Sequence, residues 1–213
     1  MKTIIDNIRH HSEIFGEPVF DEYTEISEER LKHVVKLIKS ELNELIDAKT
    51  IKEQKDGCGD VLWTVIRAFS EVGLDSKESI VGIHKRNKEF KPFVKCVNWF
   101  QISLHKLLNT AEGKDAIEEE LDYLLFLANE FFKPFQYDMK FIMEQVYKSN
   151  MSKLCKTEEE AKQTVEAYKL GTHPNKLGKV IITHYEKAKE GFVVRRTSDN
   201  KYLKSINFVE PKF

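Results

Sequence analysis

The sequence predicts a mainly α protein, a helical bundle built from a duplicated helical unit with a small β-hairpin at its C-terminal end. Three observations carry that reading. Apolar residues recur at helical spacing across most of residues 3–171. Sliding residues 34–74 by 62 positions superposes Val35 on Val97, Leu42 on Leu104, Leu45 on Leu107, Asp60 on Asp122 and Phe69 on Phe131. Only beyond Lys179 do β-branched runs replace the helical period.

The elements follow in order. Ile4, Ile5, Ile8 and Phe15 mark a short amphipathic helix that stops at Gly16 and Pro18. Ser27 reads as an N-cap with Glu28 and Glu29 in the first turn, and Leu31 through Ile46 keep a 3.6-residue period, giving a helix over 28–49. A second run over 53–72 ends at Gly73, a C-cap residue. Asp75 or Ser76 caps a segment ending near Lys88. After Pro92 a helix reaches about 112, another opens at a capping box from Asp115 to Glu118 and closes before Pro134, and a third spans 138–150. Thr157 and Glu160 form a further box ahead of a helix ending at Gly171. VIITHYE, FVVRRT and KYLKS then read as strands, with SDN as a hairpin loop. These elements suggest a helical domain over 1–175, with repeat units at 28–90 and 91–153, and a β-rich extension over 176–213.

Composition narrows the functional classes. The chain of 213 residues carries 34 Lys and Arg against 35 Asp and Glu, a net charge of -1, with 41% hydrophobic and 32% charged residues. That is the balance of a soluble globular protein. Without a basic excess, neither nucleic acid nor an anionic membrane is an expected partner, and any phosphate-bearing ligand must be held by a local site. Cys58, Cys96 and Cys155 lack CxxC spacing, so a reducing, cytoplasmic setting is expected. The seven histidines lack HExxH spacing and read as surface or cap residues, and no GxxxxGK[ST] loop occurs. Trp63 is expected in the core, and Arg195 with Arg196 on a solvated face.

The acids of the two halves differ. Glu41 and Glu44 stand at i and i+3, and Asp56 and Asp60 at i and i+4, so each pair projects from one helix face. In the second half Ser103 and Lys106 replace the first pair, whereas Glu118 and Asp122 remain. Four carboxylates drawn together repel unless a cation neutralises them, and oxygen-only ligands select Mg²⁺ or Mn²⁺. Such ions serve phosphoryl chemistry. The competing reading is a non-catalytic helical binding or scaffold protein whose acids are a solvated face. Gly57 and Gly59 indicate close approach to the backbone, or else a helix that starts after Gly59.

SELNELIDA (40–48), DGCGDVLWTV (56–65), GLDSKESIVGIHKRNKEF (73–90) and VYKSNMSKL (146–154) resemble, in order and spacing, the motifs of the all-α nucleoside triphosphate pyrophosphohydrolases, the superfamily of MazG and the dimeric dUTPases. The SNMSK segment with NKYLKSINF (200–208) is most similar to the phosphoribosyl-ATP-pyrophosphohydrolase-like branch. The resemblance implies that Glu41, Glu44, Asp56 and Asp60 hold Mg²⁺ against a triphosphate and that Glu44 orients or deprotonates the attacking water. It further implies substrate contacts from Asn150 and Lys153, with Lys148, Asn87 and Lys88 near phosphate. The implied reaction cleaves a free nucleotide, such as dUTP, dCTP or a non-canonical triphosphate, to monophosphate and pyrophosphate. A phosphoribosyl-linked nucleotide is the alternative substrate, and a homodimer is compatible with the resemblance. The chain departs from the family pattern at Ser40, Gly57 and Tyr147.

Overall fold

The computed structural model describes residues 2–74, 93–135 and 138–213, and the expected segment ending near Lys88, with Asn87, lies outside the described residues. Among these residues the helices are α1 (Lys2–Ile14), α2 (Glu28–Asp47), α3 (Ile51–Val72), α4 (Phe93–Asn109), α5 (Gly113–Glu130), α6 (Met139–Met151) and α7 (Glu158–Leu170). Two strands follow, β1 (Thr183–Lys187) and β2 (Phe192–Arg196), with short 3₁₀ turns at Lys133–Phe135 and Pro174–Lys176. No helix among them is long and apolar enough to cross a membrane.

The chain divides into two compact units, one of residues 1–9, 18–146 and 213, the other of residues 10–17 and 147–212. In the first unit α2 packs on α3 and α4 on α5, and each helix also meets its repeat counterpart, α2 with α4 and α3 with α5. Helices α3 and α5 begin at Ile51 and Gly113, the same 62-residue offset that superposes the sequences. Ile38, Leu42 and Leu45 of α2, Val61, Val65, Ile66 and Phe69 of α3, Phe100 and Leu107 of α4, and Leu121 and Leu124 of α5 are buried. Each such side chain contributes roughly 1.5–3 kcal/mol on leaving water.

Local chemistry sets the helix ends. Thr50 Oγ1 accepts from Glu53 N at 3.1 Å and Glu53 Oε2 accepts from Thr50 N at 2.9 Å, so a capping box starts α3 at Ile51, ahead of the expected 53. Gly73, at φ 68°, closes it in the left-handed region. The box expected from Asp115 to Glu118 does not form: α5 begins two residues earlier, and its N-cap Glu112 makes no side-chain cap bond. Because α3 runs straight through 57 and 59, both glycines serve helix packing. A Cβ on Gly57 would lie 2.9 Å from Leu45 Cα, and one on Gly59 2.5 Å from Val146 Cγ2. Cys58 between them donates its thiol to Phe131 O at 3.4 Å, and burial pushes its pKa up to about 12, so it packs as an inert side chain. All three cysteines are free and buried.

In the second unit α7 packs on β1 and β2. Cys155, Ala161, Tyr168 and Val194 form one core, and Ile14, Phe15 and Val193 another. The helix that the sequence grouped with residues 1–175 thus clusters with the hairpin, because Ala161 and Tyr168 bury their surface there. The hairpin joins β1 to β2 around residues 188–191. KYLKS contributes only a single bridge, Tyr202 to Arg195, and SDN makes the tight reversal before it, with Asn200 at φ 57°. The tail beyond then turns to bind elsewhere: Ser205 Oγ donates to Ser152 O at 2.8 Å. Arg195 is no surface residue. It is 6% exposed and bonds Glu186, Phe15 O and Asn200 O, while Arg196 pairs with Asp199 as a surface residue would. His11 is likewise buried, stacked on Phe15 at 4.2 Å, where a surface or cap role was expected.

His173 is fully buried and stacked on Tyr168 at 4.0 Å, and burial holds its pKa below the usual value near 6.5. The unfolded chain therefore binds this proton more readily than the folded one below pH 6.5, so stability is full above that pH and falls beneath it. Denaturant melts at pH 7.5 and 5.5 should show the loss, and His173→Phe should flatten it.

Candidate functional site

The register of α2 against α3 is fixed where Leu45 closes on Gly57. Counting one turn back from Leu45 reaches Glu41, and nearly one turn on from Gly57 reaches Asp60, so these two stand at the same level of the antiparallel pair. Glu53, Asp56, Asp60, Thr64, Arg67 and Glu71 succeed one another at intervals of three or four residues, an unbroken polar stripe down α3. Thr64 satisfies its hydroxyl on Asp60 O at 2.9 Å and Val61 O at 3.0 Å.

Glu41, Asp56 and Asp60 are half-buried, and each is engaged in a polar or electrostatic contact. Glu44 is exposed. At 100° per residue it stands about 60° further round α2 than Glu41, away from the stripe of Val34, Ile38, Leu42 and Leu45. A closed cage of all four carboxylates is therefore not formed: among the described residues no three His, Cys, Asp or Glu side chains are grouped to hold a metal ion. The donor set itself, carboxylate oxygens on two facing helices, suits a hard dication. Mg²⁺ in particular is usually held by one or two carboxylates together with substrate phosphates and waters, so a closed protein cage is not required.

At the far end of the stripe lies a charge cluster that the sequence reading missed. Glu71 is 1% exposed and accepts from Arg67 Nε at 2.8 Å and Arg30 Nε at 2.8 Å, with Arg30 Nη2 at 2.7 Å. The triad ties the start of α2 to the end of α3. Its signal was present in the unbroken i+3/i+4 polar spacing through an otherwise apolar helix, where a buried charge demands a partner.

The second copy has resolved its acids differently. Ser103 Oγ donates to Glu120 Oε2 at 2.6 Å, and Lys106 Nζ stands 3.5 Å from Glu120 Oε1. Ser103 and Lys106, at the positions corresponding to Glu41 and Glu44, thus satisfy the Glu120 carboxylate.

Asn150, Lys148 and Lys153 belong to the other unit. Asn150 is buried, Lys153 half-buried and Lys148 exposed. Lys153 Nζ donates to Asn150 Oδ1 at 2.6 Å. An ammonium cannot accept, so the Asn150 carbonyl faces it and the amide N–H groups point the other way. The Lys153 ammonium also stands 5.5 Å from the Tyr202 ring centroid, which helps fix it. Ser152 Oγ accepts from Val209 N at 2.9 Å, so the tail braces the turn that follows Asn150.

The family model of phosphoribosyl-ATP pyrophosphohydrolase matches residues 8–87, which include α2 and α3. An uncharacterized protein of Acanthamoeba polyphaga mimivirus is 30% identical over 225 residues, an alignment covering 94% of this chain and 86% of that protein. No solved structure matches the chain. With a phosphoribosyl-ATP pyrophosphohydrolase domain at residues 8–87, the chain belongs to the all-α MazG-like nucleoside triphosphate pyrophosphatase superfamily.

Proposed function

We propose that the protein is a Mg²⁺-dependent pyrophosphohydrolase that cleaves a free (deoxy)nucleoside triphosphate to the monophosphate and pyrophosphate. The observation that supports the reading is the α2–α3 register, which sets half-buried Glu41 level with Asp60, with Asp56 one turn earlier on α3, in a segment matched to a pyrophosphohydrolase family. One or two of Glu41, Asp56 and Asp60 would hold the dication together with substrate phosphates and waters; Mn²⁺ would suit the same oxygens. When bound, the dication neutralises phosphate charge and lowers the pKa of a coordinated water. Glu44, exposed at the outer flank, orients or deprotonates the attacking water in this reading. Asn150 donates its amide N–H groups to substrate oxygens, with Lys153 holding the amide in that orientation. Lys148 is a further phosphate contact in this reading, as are Asn87 and Lys88.

A second reading, hydrolysis of a phosphoribosyl-linked adenine nucleotide, is favoured by the matched family's description. Both share the bond cleaved and differ in the group beyond the base. A panel of canonical, deoxy and modified triphosphates plus phosphoribosyl-ATP, assayed for pyrophosphate with Mg²⁺ and with EDTA, separates them. Release from one or more free triphosphates, abolished by EDTA, is the expected result. Turnover of phosphoribosyl-ATP alone would select the second reading, and no turnover of any nucleotide would leave the scaffold reading.

A further inference from the structure

The small sheet of the second unit has one covered edge and one open edge. Gly191 O accepts from Ala188 N at 3.0 Å, and Ile182 O from Thr197 N at 3.0 Å, which fixes the phase of the ladder. Ile182, His184, Glu186 and Ala188 therefore turn their N–H and C=O groups toward β2, whereas Thr183, Tyr185 and Lys187 turn theirs outward. The far side of β2 is covered by the bridges from Cys155 to Phe192 and from Tyr202 to Arg195. Along the outer side of β1, by contrast, no backbone–backbone bond reaches Thr183, Tyr185 or Lys187 among the described residues. The covered stretch ends at Ile181, whose N–H donates to Tyr168 O.

Tyr185 packs against the core of Cys155, Ala161 and Tyr168 and bonds Glu158 at 2.8 Å, so this face of β1 is anchored on α7. The alternate residues face solvent: His184 and Glu186 are exposed, and Ile182 is 76% exposed. Charges on a short edge strand ordinarily repel foreign strands. Here the exposed polar side chains can pair with one another across two copies, with Glu186 keeping its bond from Arg195 through Oε1. Laying β1 antiparallel on another β1 about Tyr185 sets Thr183 opposite Lys187 and gives each of those outward-facing pairs two backbone bonds. It sets His184 opposite Glu186 twice, in the closer, non-hydrogen-bonded positions where cross-strand side chains interact most. Ile182 falls opposite Ala188 and loses part of its exposed surface.

We propose that β1 is a self-association surface, pairing antiparallel with β1 of a second copy of this chain to form a four-stranded sheet across a two-fold axis. A five-residue strand buries little area, which puts the contact among weak, reversible interfaces.

Sedimentation velocity of the full chain over a broad concentration range tests this with two variants. Lys187→Pro removes an outward N–H without removing a β1–β2 ladder bond, and His184→Glu places like charges opposite each other. The wild type should show a concentration-dependent monomer–dimer equilibrium. Lys187→Pro should sediment as a monomer, and His184→Glu should weaken association about tenfold. Circular dichroism and melting of both variants confirm that the unit is folded; His184 is exposed, so its variant serves even if Lys187→Pro melts early. A wild type that stays monomeric throughout, or a dimer whose affinity neither variant changes, overturns the proposal.

Discussion

Glu44→Gln is expected to lower the rate of pyrophosphate release by roughly 10²–10⁴-fold, the usual worth of a positioned acid–base group, with little change in melting temperature. Glu44 is exposed and outside the apolar stripe of α2, so the amide replaces the carboxylate without disturbing the core. It also keeps the side-chain volume and removes only the ability to take a proton. Single-turnover rates beside thermal melts check both halves of the expectation. A rate within about threefold of wild type would move the water-orienting role to another carboxylate. Loss of rate together with loss of folding would instead make Glu44 structural.

Glu71→Ala is expected to cost roughly 3–5 kcal/mol of stability, because it takes the shared carboxylate from the buried Arg67 guanidinium as well as from the partly exposed Arg30. Arg67 and Glu71 have side-chain exposures of 5% and 1%, so solvent cannot replace the lost partner. For a chain of this size the melting temperature should fall on the order of 10 °C. Urea melts give the energy directly. The triple variant Arg30→Met, Glu71→Leu, Arg67→Met should recover much of it, since a packed apolar replacement of a buried ion cluster is often neutral. A loss below about 1 kcal/mol for Glu71→Ala would mean that water reaches the triad.

What the sequence made legible follows from period and offset. The helix positions were readable because buried stripes impose apolar residues at helical spacing, as α3 and α5 show. The ends were less readable. Asp115 and Glu118 have capping-box spacing, yet Gly113, at φ 77°, lets the chain enter α5 earlier. KYLKS has strand composition, but Ser205 and Val209 satisfy themselves on Ser152, which turns the tail out of the sheet.

At the candidate site, residue type and face were legible: Glu41, Asp56 and Asp60 do lie half-buried along facing helices. That Glu41 borders the buried stripe and Glu44 stands outside it is not legible in the sequence, because i and i+3 spacing alone does not say which residue borders the core. Gly57 and Gly59 signalled a close approach, and only the packing partners Leu45 and Val146 show that it is helix against helix. In the Arg30–Glu71–Arg67 cluster the local spacing marks Arg67 and Glu71 as a polar pair in an apolar helix, but the partner Arg30, 41 positions away, is not legible from it.

The central claim is that the acid-bearing faces of α2 and α3 hydrolyse a nucleotide between its α and β phosphorus atoms. Phosphorus NMR of a nucleoside triphosphate mixture incubated with Mg²⁺ and either the wild type or Asp60→Asn tests it most directly. The account predicts monophosphate and pyrophosphate from the wild type and unchanged triphosphate from the folded variant. Diphosphate with orthophosphate as products, or full turnover by Asp60→Asn, would contradict it.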